Sequence, residues 1–197
     1  PSYAVGVDAE SVYFAPEGGS GIVIEDINEI LVDESAITIA FWGYEETIAT
    51  TLKFLVENRS GLAGGHFIYH GGSATDDAPS FTSCIEAYGG CHSFTSFTVG
   101  EWHHFIVRYD AAADEEVTIY MDGQVENTFD EFVGDETQTP FGENADNDML
   151  FGVNTGFHMD DFKIFDTVFD EVEQCVVIIG GDWDETEGCI LPDPDDT

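Results

Sequence analysis

Basic residues are scarce in this sequence. Its 197 residues include 4 Lys and Arg against 41 Asp and Glu, which gives a formal net charge of -37. A surface of this sign repels phosphate backbones and anionic lipid headgroups, so nucleic-acid binding and membrane-surface binding are disfavoured as functions. For most of the carboxylates, the simplest interpretation is a solvated acidic face suited to a saline or cation-bearing medium.

Long apolar runs and internal repeats are also missing. No run approaches the roughly 18 residues that a membrane helix needs, and no repeat of solenoid period occurs. The chain begins Pro1-Ser2-Tyr3, with no initiator Met and no secretory leader. We therefore expect a processed product or a piece of a longer protein. The expected organisation is one domain over residues 1–190, followed by a Pro/Asp-rich tail or linker over residues 191–197.

The common catalytic motifs are absent as well. There is no Gly-x-Ser-x-Gly nucleophile elbow. A glycosidase needs two carboxylates about 5–10 Å apart across the sugar bond, and the nearest candidate, residues 25–29, has a spacing that is wrong for one face of a strand. With 41 acidic residues, chance pairs are expected in any case. The sequence predicts a protein that is not an enzyme, with a glycoside hydrolase kept as a second alternative.

The cysteines indicate disulfides rather than zinc. No Cys-x-x-Cys occurs, and an even count of four favours two disulfides formed in an oxidising compartment. Of the three connectivities, we favour Cys84–Cys91 and Cys175–Cys189, because each pair brackets Gly-containing turn sequence. An Asn-Arg-Ser sequon begins at Asn58. Together these features predict an extracellular or cell-surface glycoprotein.

Aromatic and β-branched residues are abundant, and they recur in short runs separated by Gly, Asp and Asn. Many short strands at this spacing predict an all-β protein. One short helix is expected near residues 169–174, with Asp170 as its cap. The predicted strands are Val12–Phe14, Gly21–Glu25, Ile37–Tyr44, Leu52–Asn58, His66–His70, Phe81–Ala87, Trp102–Tyr109, Val117–Met121, Gln124–Phe129, Met149–Gly152 and Phe157–Phe165.

Two local patterns are specific. Alternation places Ile37, Ile39 and Phe41 on one face of a strand. Asp122-Gly123, between two predicted strands, indicates a type I′ hairpin, whose two central residues both need positive φ.

Three segments resemble the laminin-G-like jelly-roll domains of the concanavalin A-like lectin/glucanase superfamily, in its bacterial and pentraxin-like branch. Residues 11–24 with 37–42 are similar to its opening strands. Residues 100–110 with 117–123 are similar to its Trp-to-Asp strand and the Tyr-x-Asp-Gly hairpin, and 159–166 to its closing Asp-Asp strand. The resemblance implies a two-sheet antiparallel jelly-roll β-sandwich.

The same resemblance implies a structural Ca²⁺ site. Asp160 would be a ligand, and Asp161 would either cap a neighbouring loop or be a further ligand. Glu17 would replace the Asp that many members carry after the first strand's Phe. Hard carboxylate oxygens suit Ca²⁺, although both aspartates also fit turn-adjacent surface acids. Two acidic loops, residues 144–148 and 182–185, are weaker candidates, since solvated loops have the same composition.

The resemblance also implies a recognition or adhesion module that binds a carbohydrate or protein ligand through loops at one end of the sandwich. Tyr44, Tyr69, Tyr88 and Trp183 lie near predicted loop ends, where they could stack on sugar rings or simply pack. The main alternative is a repeating structural subunit of an extracellular filament or surface layer. Such a subunit would bind copies of itself through its termini, for example by strand addition to a sheet edge.

Overall fold

The structure is a computed structural model in which only part of the chain is described. The described backbone comprises residues 2–4, 11–14, 21–25, 36–46, 53–59, 65–71, 80–85, 90–110, 112–113, 117–129, 149–151 and 156–192. Side chains are described only in residues 21–25, 36–46, 97–110, 112–113, 117–128 and 156–192.

Antiparallel strands make up most of the described chain. They are β1 (Ser2–Ala4), β2 (Ser11–Phe14), β3 (Ile22–Ile24), β4 (Ala36–Glu45), β5 (Lys53–Arg59), β6 (Gly65–Gly71), β7 (Ser80–Ile85), β8 (Gly90–Ser96), β9 (Trp102–Asp110), β10 (Val117–Met121), β11 (Gln124–Phe129), β12 (Met149–Phe151), β13 (Phe157–Phe165), β14 (Asp182–Asp184) and β15 (Gly188–Ile190). One sheet has the order β1-β2-β13-β4-β9-β10-β11, a second has β3-β12-β5-β6-β7-β8, and β14 pairs with β15 alone. The predicted jelly-roll β-sandwich is confirmed.

All eleven predicted strands are present, with ends that differ by at most two residues. Four strands were not predicted, namely β1, β8, β14 and β15. Three of these have only three residues, and β8 consists mainly of small and polar residues, so none carries the apolar alternation that marks a strand. Pairing with neighbouring strands, rather than intrinsic propensity, accounts for them.

The inner face of the seven-stranded sheet carries the main core. Ile37, Ile39 and Phe41 are 0% exposed, so the predicted face is confirmed. They stand opposite equally buried residues of β9 in the register, and the rings of Phe41 and Phe105 lie 5.5 Å apart. Phe97, just after β8 of the other sheet, packs its ring 5.5 Å from that of Phe105. This aromatic contact connects the end of the smaller sheet to the core of the larger one.

The outer face of the same sheet is also buried in part. Ala40, Trp42, Ile106 and Tyr120 form a second apolar cluster with residues of the C-terminal segment. An outward face of an antiparallel sheet is usually polar because water covers it. Here residues 168–192 cover it instead, and we call them the C-terminal cover.

The C-terminal cover begins with the predicted helix. Helix α1 (Glu171–Glu173) starts with a capping box, in which Asp170 Oδ1 accepts from the Glu173 amide at 2.8 Å and Glu173 Oε2 accepts from the Asp170 amide at 3.2 Å. It continues as a π-helix over Gln174–Ile179 and ends at Gly180, whose φ is 76°. The predicted cap is confirmed, and the helical segment extends five residues beyond the expected end.

Two links hold the C-terminal cover on the sheet. The Lys163 ammonium donates to the carbonyl of Ile178 at 3.0 Å, near the end of the π-helix, where unpaired carbonyls favour a cation. The disulfide Cys175–Cys189 joins the π-helix to β15, which confirms the second predicted pair. No helix within the described ranges is long and apolar enough to cross a membrane.

Candidate functional site

A groove lies between two hairpins, and the first is the predicted Asp122-Gly123 turn. Its central residues have φ values of 49° and 75°, as the type I′ prediction requires. The Asp122 carboxylate accepts from the His104 amide at 2.8 Å through Oδ1 and contacts His103 Nδ1 at 2.7 Å through Oδ2. Asp122 therefore ties the turn to β9, beyond its role in turn geometry.

Gly123 allows this turn to approach the C-terminal cover closely. A Cβ built at Gly123 would lie 2.9 Å from Cys189 Cβ and 3.4 Å from its Sγ. Real side chains do not approach so closely, so the turn packs on the disulfide only because position 123 has no side chain. The floor of the groove depends on this contact.

We expect Gly123→Ala to destabilise the fold by about 2 kcal/mol, because positive φ and the collision with Cys189 both disfavour a side chain. The matched control is Gly100→Ala, since Gly100 has φ +87° but nothing within 4 Å of an added Cβ. That variant should lose only about 1 kcal/mol from backbone strain. Urea unfolding of both variants measures the difference. Equal losses would show that Gly123 makes no close contact of consequence.

The second hairpin, β14–β15, has a turn fixed by Asp184. Its Oδ1 accepts from the amides of Thr186 at 2.7 Å and Glu187 at 3.0 Å. These hydrogen bonds lower the pKa of Asp184. Gly188 follows with φ 83° and redirects the chain into β15. The wall of the groove is therefore ordered before any ligand arrives.

The groove between the hairpins has a volume of about 430 Å³, within the usual range for ligand sites. Trp183, Glu185 and Glu187 line one side and Gln124 the other, and Glu171 stands at the helix start. Within the described residues, the three glutamates form no ion pair. An indole face can stack on a sugar ring, while carboxylates and an amide accept and donate hydrogen bonds to hydroxyls.

Two adjacent histidines of β9 face opposite sides of the sheet. His103 lies opposite Gly43 on the inner side and His104 lies opposite Trp42 on the outer side, and both are buried. His103 is hydrogen-bonded at both ring nitrogens, to Asp122 and, at 3.2 Å, to the Thr98 carbonyl. The Asp122 hydrogen bond raises the pKa of His103. A ring that holds acceptors at both nitrogens is a structural link and is not arranged as a general base.

The predicted metal ligands lie at a bulge in β13. The register shifts between Asp160 and Lys163, and Asp161 has φ 47°. Asp160 Oδ1 accepts from the Asp161 amide at 2.9 Å, and Asp161 Oδ2 pairs with the Lys163 ammonium at 2.6 Å. Among the described residues, no group of three or more His, Cys, Asp or Glu could hold a metal. Glu17 lies outside them, so the Ca²⁺ site stays a prediction.

Other predicted residues are placed only by their backbone. Asn58 lies in β5 opposite His66, and Cys84 stands opposite Cys91 across β7 and β8. Their side chains lie outside the described residues, so glycosylation and the first disulfide stay predictions. Tyr69 is likewise placed only by its backbone, in β6, whereas residues 144–148 and Tyr88 lie outside the described residues. Residues 182–185, expected as a solvated loop, instead form β14 and the start of its turn.

Two antiparallel sheets with these strand orders define a jelly-roll β-sandwich. The profile of the concanavalin A-like lectin/glucanases superfamily matches residues 16–173, and the chain belongs to that family. Comparison with curated proteins finds no match. The hairpin β14–β15 lies beyond the residues that this profile matches.

Similar solved structures agree on the fold. A heptameric SAP-like pentraxin from Limulus polyphemus is 11% identical with a TM-score of 0.61, and the match covers 88% of this chain and 83% of that one. Domain 4 of an extracellular arabinanase from Geobacillus stearothermophilus is 16% identical with a TM-score of 0.62, covering 87% and 78%. The binding domain of Paraclostridial Mosquitocidal Protein 1 is 15% identical with a TM-score of 0.67, covering 91% and 45%.

Proposed function

We propose that this chain is a non-catalytic extracellular recognition module that binds a carbohydrate in the groove between its two hairpins. The observation that carries the proposal is Trp183 beside three glutamates in a groove whose walls are held by a disulfide, a glycine contact and a capped turn. Such preorganisation lowers the entropy lost on binding. A protein ligand is the other possibility for the same groove.

The similar structures supply support of a coarser kind. The arabinanase domain was solved in complex with arabinotriose. Botulinum neurotoxin type C, 16% identical over 87% of this chain with a TM-score of 0.55, is described as entering cells through interaction with two ganglioside molecules; 40% of its chain is covered. The fold and a disulfide are typical of extracellular proteins. Because the surface is strongly acidic, we favour neutral saccharides over sulfated ones.

A glycoside hydrolase would require a convergent carboxylate pair and a free acid or base. As a non-catalytic module, the chain should release no reducing sugar from neutral polysaccharides. Turnover that is lost on mutation of the groove glutamates would replace the proposal with an enzyme.

We expect Trp183→Ala to weaken oligosaccharide binding at least about tenfold, or about 1.4 kcal/mol, because the stacking surface is lost. Titration calorimetry against the neutral hits of a glycan array, with Ca²⁺ present, measures this. Trp183→Phe should keep part of the affinity. Val177→Ala is the matched control, since Val177 is 55% exposed and does not line the groove. Unchanged affinity in Trp183→Ala would remove the groove as the site.

Calcium remains a proposal that rests on the family resemblance, with Asp160, Asp161 and Glu17 as the candidate ligands. We expect Ca²⁺ to raise the thermal midpoint above its value in EDTA, because a ligand that binds only the native state stabilises it. Mg²⁺ at equal ionic strength is the control, because screening acts equally for both ions. Equal midpoints in the two salts would mean that carboxylate repulsion is merely screened.

The filament alternative is less well supported. β1, near the N-terminus, pairs with β2 of its own chain. The C-terminal cover packs on its own sheet through residue 191. These segments are thus engaged within the chain and are not free strands for a neighbour. Light scattering that showed reversible fibres would restore the alternative.

A further inference from the structure

A row of aromatic positions crosses the outer face of the seven-stranded sheet. At one level of the register, Trp102 of β9 stands opposite Tyr44 of β4, which stands opposite His158 of β13. Tyr13 of β2 is the next position in the row. With strands about 4.8 Å apart, four positions span about 14 Å. Trp102 packs with part of its surface against the apolar cluster that Ile178 and Ile179 cover, whereas Tyr44 and His158 do not belong to that cluster.

The three described rings form one cluster. Their centroids lie 5.5 Å apart for Tyr44 and Trp102, 5.4 Å for Tyr44 and His158, and 6.4 Å for Trp102 and His158. His158 is buried, whereas Tyr44 and Trp102 keep part of their surface in solvent. Burial lowers the pKa of His158, which leaves the ring neutral at pH 7. The cluster is therefore an apolar, uncharged floor.

A carboxylate stands at the edge of this floor. The side chain of Glu46 is 62% exposed, and its Oε1 lies 3.7 Å from His158 Nε2. Glu46 follows β4 directly, so the chain places a hydrogen-bond acceptor beside His158, at the end of β4 that carries Tyr44. Aromatic faces bind the C–H side of a sugar ring, and a carboxylate accepts from its hydroxyls.

We propose that this row is a second saccharide site, separate from the groove, that takes a neutral sugar by stacking on Tyr44 and Trp102 with Glu46 as acceptor. An anionic glycan would be repelled by Glu46 and by the net charge of -37. Two weak sites on one module raise the avidity for a multivalent glycan surface without strengthening either site. The ligand class follows the proposed function, but the site does not depend on the groove.

The three tryptophans of the chain allow both sites to be read separately. Trp102 lies in the row and Trp183 in the groove, whereas Trp42 is 4% exposed and serves as an internal control. We suggest ¹⁹F NMR of the full chain labelled with 5-fluorotryptophan, titrated with arabinotriose and with the neutral oligosaccharides selected by glycan array. The Trp102 resonance should shift saturably while that of Trp42 stays fixed.

The variants are Tyr44→Ser and Glu46→Gln, with Glu101→Gln as a control for an exposed acid near Trp102. Tyr44→Ser should weaken the affinity that the Trp102 resonance reports about tenfold, and Glu46→Gln should weaken that affinity less. Because Glu46 is exposed, that variant should fold even if Tyr44→Ser does not. Shifts at Trp183 alone would overturn the second site and leave the groove intact. Shifts at Trp102 alone would support the second site and remove the groove, and no shift at either would overturn both.

Discussion

His104→Leu should retain more of its stability in acid than the unmodified chain. His104 is 1% exposed on the outer face of the sheet, and its ring packs edge-on against Trp42 with centroids 5.0 Å apart. Its Nδ1 has no hydrogen-bond partner within the described structure. Burial, and next the positive charge of Lys163, lower its pKa from 6.5 to about 3, while Asp122 acts weakly in the opposite direction.

The sign of the effect follows from proton binding. Below pH 6.5 the unfolded chain protonates this histidine, whereas the folded chain keeps it neutral until about pH 3. The contribution of a neutral His104 to the free energy of unfolding is therefore complete above pH 6.5 and is lost as pH falls. Between the two pKa values, the loss of this free energy approaches about 1.4 kcal/mol per pH unit. Urea unfolding between pH 8 and pH 4.5 should show this slope, and subtraction of the His104→Leu curve removes the carboxylate contributions common to both proteins.

His103→Gln provides the opposite control. The pKa of His103 is raised, chiefly by its hydrogen bond to Asp122. Its stabilising contribution is thus complete below pH 6.5 and is lost as pH rises through the folded pKa. His103→Gln should be most destabilised in mild acid. If His104→Leu followed the pH dependence of the unmodified chain, His104 would have to be accessible to protons in the folded state.

The sequence predicted those parts of the fold that depend on local rules. The Asp122-Gly123 turn follows from positive φ at both residues, and the α1 cap follows from Asp170 three residues before Glu173. The strand around Ile37 and Phe41 follows from alternation. Each of these features is decided within about ten residues, so a single sequence is enough to find it.

The features that were missed depend on distant contacts. Trp42 and Ala40 occupy the face that alternation assigns to solvent, and they are buried only because Ile178 and Ile179 pack on them. The bulge at Asp161, where the register shifts between Asp160 and Lys163, interrupts a strand that alternation treats as regular. The groove was missed because β14 and β15 are too short to predict, although a Trp between two cysteines was a usable indication.

Removal of the Cys175–Cys189 disulfide should produce the second large effect. The bond closes a loop with a sequence separation of 14 residues, for which chain entropy predicts a stabilisation of about 3 kcal/mol. We expect the Cys175→Ala/Cys189→Ala double variant to lose about that free energy of unfolding. Alanine is preferable to serine because Cys175 is 0% exposed and a buried hydroxyl would add its own penalty. Denaturant unfolding measures the loss.

The same variant should lose binding in the groove even where it remains folded. The turn at Gly123 rests on Cys189, and Trp183 is paired with Cys189 in the register of β14 and β15. Without the bond, the C-terminal cover should open locally, and Trp42 should become accessible to acrylamide quenching. Lys163→Met is a useful comparison, since it releases the π-helix end but keeps the disulfide. If the double variant kept its affinity and Trp42 stayed protected from acrylamide, the Lys163 link and the apolar contacts of Ile178 would suffice to hold the cover. If the variant lost its affinity and the protection of Trp42, the covalent link between the π-helix and β15 is what connects the stability of this fold to its binding site.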